Sequence, residues 1–178
     1  AIAGNLALFS KILSRTAGIA SVIEFGSNIG LNLLAIRHLL PKADLSAIEI
    51  NRTAVRALER IGGMTVYPQS ILEFIPDHQR DLVFIKGVLI HINPDALPQV
   101  YELLYQTSKK YLLVCEYYNP VPVQIPYRGH GDRLFKRDFC GEILDKYPDL
   151  RLRDYGFAYH RDPNFPQDDL TWFLMEKP

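Results

Sequence analysis

Short apolar runs alternate along the chain with segments whose apolar residues recur every three or four positions. In the first half, helical patterns cover residues 2–16, 31–40 and 53–61, and strand-like runs cover residues 21–25, 45–50 and 64–67. In the second half, strand-like runs cover residues 81–85, 111–115, 151–159 and 170–175, and helical patterns cover residues 94–107 and 139–146. This alternation predicts a doubly wound, mostly parallel α/β sheet, and we expect its last two strands to form an antiparallel pair.

The length and the charge of the chain indicate how many domains it has and which partners are disfavoured. The chain of 178 residues fits one domain with a full hydrophobic core, and we predict a single domain over residues 1–178. Twenty Lys and Arg residues balance twenty Asp and Glu residues, which disfavours nucleic acid or an anionic membrane as a partner. No apolar run approaches the roughly 18 residues of a membrane span. Because the chain starts at Ala1 and not at Met, we leave open whether residues precede it.

Two cysteines, Cys115 and Cys140, lie far apart and form no C-x-x-C pattern. They fit buried thiols in a reducing compartment better than a disulfide framework or a zinc site. We therefore expect a cytoplasmic protein that holds no metal.

A glycine-containing turn follows the first predicted strand, in the stretch VIEFGSNIGLN at residues 22–32. A turn that binds a dinucleotide pyrophosphate has the pattern G-x-G-x-x-G, but Asn28 and Leu31 occupy its second and third glycine positions. The remaining pattern is E-x-G-x-x-x-G, formed by Glu24, Gly26 and Gly30. A nicotinamide oxidoreductase is therefore disfavoured.

A second acidic residue, Glu49, lies at the end of the second predicted strand. In doubly wound sheets a carboxylate at this place accepts the hydroxyl groups of a ribose. A ribose acceptor, the missing pyrophosphate glycines and an extra acid at Glu24, suited to an ammonium group, together fit S-adenosylmethionine as the ligand.

Over essentially its whole length, the sequence resembles the seven-stranded class I S-adenosylmethionine-dependent methyltransferases. The first motif of that family is matched by Glu24, Gly26 and Gly30, and Asn28 replaces the middle glycine, which is tolerable because Asn enters positive-φ conformations more readily than most residues. The block DLVFIKGVLIHI at residues 81–92 is similar to the fourth strand of the family and its continuation. The resemblance implies that S-adenosylmethionine contacts Glu24, Gly26, Ser27, Asn28, Gly30, Glu49, Ile50, Gln69, Ser70, Ile71, Lys86, Gly87 and Val88.

A narrower resemblance concerns the methylases associated with pseudaminic acid biosynthesis in bacteria. It is carried by the segments KGVLIHINPD (86–95), EYYNP (116–120), YRGH (127–130), LFKRDF (134–139), DYGF (154–157) and DDLTWF (168–173). The resemblance implies glycan modification, with a nonulosonic sugar or its nucleotide-activated form as the acceptor. It leaves the acceptor atom open.

Residues 117–138 form a predicted acceptor-binding loop rich in basic and aromatic side chains. Nonulosonic acids carry a carboxylate, and their activated forms a phosphate, which arginine forks bind well. Ordinary ion pairs with Asp132 and Asp138 are the alternative explanation for these cations. The predicted substrate-binding residues are Tyr118, Tyr127, Arg128, His130, Arg133 and Arg137.

Methyl transfer from a sulfonium needs positioning above all, and a base only where the acceptor atom still holds its proton. The candidate catalytic residues are His91, Glu116 and Tyr117, although His91 is equally consistent with a packed histidine after the fourth strand. The sequence Asn93-Pro94-Asp95 is interpreted as a helix start without chemistry. We also expect the segment before Gly18 to form part of the roof of the active site.

Other functions stay open at this point. One is a methyltransferase acting on tRNA or on another small molecule, and another is a non-catalytic partner protein that keeps the fold. The intact Glu24, Gly26, Gly30 and Glu49 argue against the second. The oligomeric state is not indicated by the sequence.

Overall fold

The computed structural model describes residues 2–129 and 133–178. It contains five α-helices, α1 (Ile2–Leu13), α2 (Leu31–Leu39), α3 (Arg52–Ile61), α4 (Leu97–Thr107) and α5 (Phe139–Lys146). The strands are β1 (Ser21–Phe25), β2 (Asp44–Ile48), β3 (Thr65–Tyr67), β4 (Arg80–Lys86), β5 (Ser108–Glu116), β6 (Val123–Pro126), β7 (Arg133–Lys136), β8 (Arg151–Ala158) and β9 (Leu170–Glu176). Short 3-10 turns occupy Ile71–Glu73, Leu89–His91 and Pro94–Ala96.

Seven strands form one sheet in the order β3-β2-β1-β4-β5-β9-β8. The first five strands of the chain are parallel, and β9 runs antiparallel to both β5 and β8, which confirms the predicted doubly wound sheet with an antiparallel end. The strand order reverses between β1 and β4. Ligands of such sheets bind beyond the carboxyl ends of the strands at this reversal, next to Gly26 and Gly87.

Helices cover both faces of the sheet, because the central strands carry apolar side chains on both sides. On one face, Phe9 of α1, Leu33 of α2 and Leu58 of α3 pack into a single buried cluster. On the other face, Val100 of α4 and Ile143 of α5 belong to a second cluster. The site therefore rests on a core that is packed from both sides.

Several element boundaries differ from the sequence prediction. Helix α1 ends at Leu13 instead of residue 16. The hydroxyl group of Thr16 donates to the Leu13 carbonyl, which is one of the last carbonyl groups of the helix. The predicted helix over 94–107 is divided into a 3-10 turn and α4. At its start, the Asn93 side chain accepts from the Asp95 amide at 3.0 Å, as expected for a cap.

The segment 117–138 is the main correction to the predicted fold. It was expected to be a loop, but β6 and β7 form an antiparallel ribbon with Ile125 opposite Leu134. Its prolines argued against strands, since Pro cannot donate to a ladder. Pro126 belongs to the last residue pair of this separate ribbon, where the absence of a backbone N–H donor has little effect on stability. Leu134 is buried and belongs to the same cluster as Ile90, so the ribbon is joined to the core.

Both cysteines are buried free thiols, as predicted. Burial raises the pKa of the Cys140 thiol to about 12, which keeps it protonated and unreactive at neutral pH. Within residues 2–129 and 133–178, no helix is long and apolar enough to cross a membrane.

Replacing Leu134 with Ala is expected to destabilise the fold by about 2 to 4 kcal/mol, because it opens a cavity where the ribbon meets the core. Unfolding in urea measures this loss. The control is Ile125→Ala, which removes the cross-strand partner of Leu134 from an exposed position and is expected to cost less than about 1 kcal/mol. Equal losses would show that the ribbon is not anchored through Leu134.

Candidate functional site

The turn after β1 takes left-handed backbone conformations at Gly26 (φ 80°), Asn28 (φ 49°) and Gly30 (φ 87°). The positive φ at Asn28 confirms the expectation that Asn can replace a glycine here. The amides of Gly26 and Ser27 both donate to the Ile48 carbonyl, at 2.9 and 3.0 Å. The turn is therefore fixed against the end of β2.

Packing within the protein already requires the two glycines. A Cβ atom at Gly26 would lie 2.7 Å from Val88 Cγ2, and one at Gly30 would lie 2.7 Å from Leu58 Cδ2. The sequence resemblance implies that the cofactor contacts both glycines. The structure adds a second reason, since the turn contacts the end of β4 on one side and α3 on the other.

Glu24, in β1 beneath this turn, is completely buried. Its Oε2 accepts a hydrogen bond from Asn32 Nδ2 at 2.7 Å, whereas Oε1 has no partner among the described residues. Burial raises the pKa of Glu24 to about 8, and the bond from Asn32 and the nearby charge of Lys86 partly offset this rise. An orphaned carboxyl oxygen fits a site that binds a cationic group.

Glu49 follows β2 and is half-buried. Its Oε1 accepts from the Asn28 amide at 2.7 Å, and its Oε2 accepts from the Asn51 amide at 2.8 Å. Each carboxylate oxygen keeps a further lone pair for a ligand hydroxyl. The two backbone bonds thus fix a bidentate acceptor beside the glycine turn.

Glu116, at the end of β5, is 2 % exposed. Its Oε1 accepts from the amides of Val88 at 2.7 Å and Ile90 at 3.3 Å, and also from that of Leu89. Burial raises the pKa of Glu116 to about 8 against the lowering effect of these bonds. The expected catalytic role of Glu116 is therefore revised, because its carboxylate is occupied by backbone donors. It holds in place the 3-10 turn that carries His91.

A cavity of about 730 Å³ adjoins the glycine turn. The ends of β1 and β4, the first turn of α1 and the loop before β9 line it. Predicted cofactor residues in its wall are Gly26, Ser27, Asn28, Lys86 and Gly87. A Cβ added at Gly87 would meet nothing within 4 Å, so its backbone is open to the cavity. This space, the orphaned oxygen of the buried Glu24 and the acceptors of Glu49 fit S-adenosylmethionine.

Four other residues predicted to contact the cofactor lie outside the wall of this cavity. Ile50, Gln69 and Ser70 line a separate groove of about 440 Å³ beside α3, and Ile71 packs partly buried against the core. The Ser70 hydroxyl accepts from the Leu72 amide and caps the 3-10 turn. Glu49 connects the two spaces, because it bonds Asn28 at the cavity and Asn51 beside the groove.

A second cavity of about 910 Å³ lies between the ribbon and the turn before α4. It shares His91, Tyr127 and Arg128 with the first cavity. The His91 and Tyr127 rings lie 5.4 Å apart, and the Arg128 guanidinium lies 5.0 Å from the Tyr127 ring. Arg133 lines the second cavity only. The two cavities therefore share a wall that is formed by these three side chains.

The structure brings only some of the predicted acceptor residues together. Arg137 forms an ion pair with Glu142 at 2.6 Å and lies with Tyr118 at a separate small pocket, not at the second cavity. Tyr117 lines the first cavity, and burial raises the pKa of its hydroxyl. The prediction for His130 lies outside the described residues.

Sequence reasoning missed several residues of these cavities. The helix-start interpretation of Asn93 and Asp95 was correct, but both also line the second cavity, as do Gln124 and Phe135 of the ribbon. In the first cavity, Gln167 donates to Asn5 at 3.3 Å, joining the loop before β9 to α1. Gly4 and Asn5 of α1 also line this cavity, and the role of the segment before Gly18 in the roof of the active site stays a prediction. No local pattern marks such pairs, because they are distant in sequence.

No protein-family model matches the sequence, and a search of curated proteins finds no match. Solved structures do match. The glycopeptide N-methyltransferase MtfA complexed with S-adenosylmethionine superposes with a TM-score of 0.71 at 10% identity, over 98% of this chain and 94% of that chain. A Burkholderia thailandensis 1,6-didemethyltoxoflavin N1-methyltransferase with bound S-adenosylhomocysteine gives 0.72 at 13% identity, over 99% and 77%.

Magnesium protoporphyrin IX methyltransferase from Synechocystis PCC 6803 with bound S-adenosylmethionine gives a TM-score of 0.67 at 13% identity, over 99% of this chain and 78% of that chain. The chain has the fold of S-adenosylmethionine-dependent methyltransferases. This confirms the predicted fold class. The names of these similar proteins give a glycopeptide, 1,6-didemethyltoxoflavin and magnesium protoporphyrin IX as acceptors, so the shared fold does not select an acceptor.

The raised pKa values of Glu24 and Glu116 predict a stability that falls as pH rises. Each carboxyl has an ordinary pKa of 4.5 and a folded pKa of about 8, so the folded state binds more protons in between. The stabilisation that these two carboxyl groups contribute is complete below pH 4.5 and decreases steadily up to about pH 8. Glu24→Gln is expected to remove about half of this slope, measured by urea unfolding from pH 5 to 8. The exposed control Glu102→Gln is expected to keep the whole slope, and an unchanged slope in the Glu24 variant would refute the assignment.

Proposed function

We propose that this protein is an S-adenosylmethionine-dependent methyltransferase for a small anionic acceptor, a nonulosonic sugar acid or its nucleotide-activated form. The observation that carries the proposal is the pair of cavities that meet at His91, Tyr127 and Arg128. One cavity adjoins the glycine turn, and the other contains two arginines. A donor and an acceptor held in these spaces would face each other at the shared wall.

The cofactor is assigned to the first cavity and the adjoining groove. Glu49 would hold the ribose hydroxyls, and Glu24 would face the ammonium group through its unpartnered Oε1. The backbone of Gly26 and Gly87 would border the methionine half, with Ile50, Gln69 and Ser70 at the adenine side. When bound, the cofactor supplies a methyl group on a sulfonium, which an oxygen or nitrogen nucleophile can take.

The acceptor is assigned to the second cavity. Among the described residues, neither Arg128 nor Arg133 has an acidic partner, although Arg137 does. Guanidinium groups that lack an acidic partner at one cavity favour a carboxylate or phosphate ligand, which they bind through two parallel hydrogen bonds. This supports the sugar-acid class over an uncharged acceptor.

His91 is the proposed base for an acceptor that still holds its proton. It lies on the shared wall, and a 3-10 turn held by Glu116 fixes its backbone. Imidazole is the side-chain group best suited to proton transfer near neutral pH. Tyr117 is less suited, because burial raises the pKa of its hydroxyl and keeps it protonated. A hydroxyl acceptor is therefore expected to depend on His91 more than a neutral amine does.

Glu49→Ala is expected to weaken S-adenosylmethionine binding by about 1 to 3 kcal/mol, as for the loss of hydrogen bonds to a charged group. Titration calorimetry measures the affinity, with NAD as the ligand that should not bind comparably. The control is Asp44→Ala, which removes an exposed carboxylate at the opposite end of the same strand and should leave the affinity unchanged. An unaltered affinity in the Glu49 variant would show that Glu49 does not bind the ribose hydroxyl groups.

Arg128→Ala and Arg133→Ala are each expected to raise the acceptor KM about tenfold while leaving S-adenosylmethionine affinity nearly intact, since they remove a charge-assisted contact. Transfer of labelled methyl to nonulosonic acids and their CMP forms gives the rates. Arg137→Ala is the control, because its guanidinium pairs with Glu142 and should affect stability instead. Loss of acceptor affinity in the Arg137 variant alone would contradict this division.

A further inference from the structure

The second cavity contains an acidic side chain that the proposed function has not used. Asp95 is exposed and lines this cavity together with Arg128 and Arg133. We infer, on the basis of the proposed function, that the acceptor is a zwitterion whose amine cation is bound by Asp95 while its anionic group is bound by the arginines. The inference narrows the acceptor from sugar acids to amino sugar acids.

The position of Asp95 is fixed by its backbone and not by its carboxylate. The amide of Asp95 donates to Asn93 Oδ1 at 3.0 Å, and Pro94 restricts the turn between them. The side chain is therefore spared from capping. Among the described residues, it accepts no hydrogen bond and forms no ion pair, so its charge is available to the cavity.

Among the described residues, neither arginine of this cavity forms an ion pair with Asp95. Arg128 lies against the Tyr127 ring, and Arg133 is the first residue of β7, paired with Pro126 across the ribbon. Opposite charges thus face one space without neutralising each other within the described chain. A ligand with a cation at one end and an anion at the other would satisfy both, whereas a ligand with an anion alone would leave Asp95 repelling it.

The amine bound by Asp95 is a recognition group and not the methylated atom. Asp95 lines the second cavity only, whereas the two cavities meet at His91, Tyr127 and Arg128. A group held at Asp95 is thereby directed away from the methyl donor. Asp95 is accordingly a specificity-determining residue, and its removal should change acceptor choice and not cofactor binding.

The test compares two probes that differ only at the amine, the methyl glycosides of neuraminic acid and of N-acetylneuraminic acid. Both keep the carboxylate, but acetylation removes the cation. Calorimetry at pH 7 with protein saturated in S-adenosylhomocysteine measures their affinities without requiring turnover. The wild-type protein is expected to prefer the free amine about tenfold, as one charge-assisted contact provides.

Asp95→Asn is expected to bring the two affinities to within about twofold by weakening the amine probe alone. The control Asp145→Asn removes an exposed charge on α5, outside both cavities, and should keep the tenfold preference. An unchanged preference in the Asp95 variant, a wild-type preference for the acetylated probe, or binding of neither probe would overturn the inference. Failure of the proposed function is distinguished by absent binding of S-adenosylmethionine and S-adenosylhomocysteine to the wild-type protein.

Discussion

The carboxylate of Glu116 connects the parts of the site. It accepts the amides of Val88, Leu89 and Ile90, and so joins the end of β5 to the turn that follows β4. The same turn places Val88 against Gly26 and His91 at the wall shared by both cavities. A buried carboxylate destabilises a protein unless its oxygens accept hydrogen bonds. The arrangement therefore depends on all three amide donors together. One interaction thereby fixes both the cofactor side and the acceptor side.

Two buried carboxyl groups lie close to the strand reversal, and they serve different purposes. Glu116 uses its oxygens within the protein, whereas one oxygen of Glu24 has no partner among the described residues. Burial raises the pKa of both to about 8, so each reduces stability at neutral pH. An unfilled polar atom that costs stability is typical of a binding site, because the ligand completes the network that the protein leaves open.

The acceptor side is built differently from the cofactor side. The proposed cofactor residues come from strand ends within the main sheet, whose packed core fixes them. The proposed acceptor residues come from the separate ribbon and the turn before α4, joined to the core through Leu134. The similar structures share the sheet and act on unrelated acceptors. Under the proposed function, acceptor choice depends on a segment outside the sheet, which can vary while the fold is kept.

The sequence by itself determined the order of the five described helices and of the seven strands in the main sheet, because hydrophobic periodicity and glycine turns are local signals, and it indicated Glu24, Gly26, Gly30 and Glu49 through their spacing. Tertiary structure alone decided that the segment 117–138 contains a ribbon, since the pairing of β6 with β7 depends on Leu134 packing into a core formed by residues that are distant in sequence. It also reassigned Glu116 to a supporting role and separated Arg137 from Arg128 and Arg133. Burial and ion pairing depend on which residues meet in space, and no spacing along the chain encodes that.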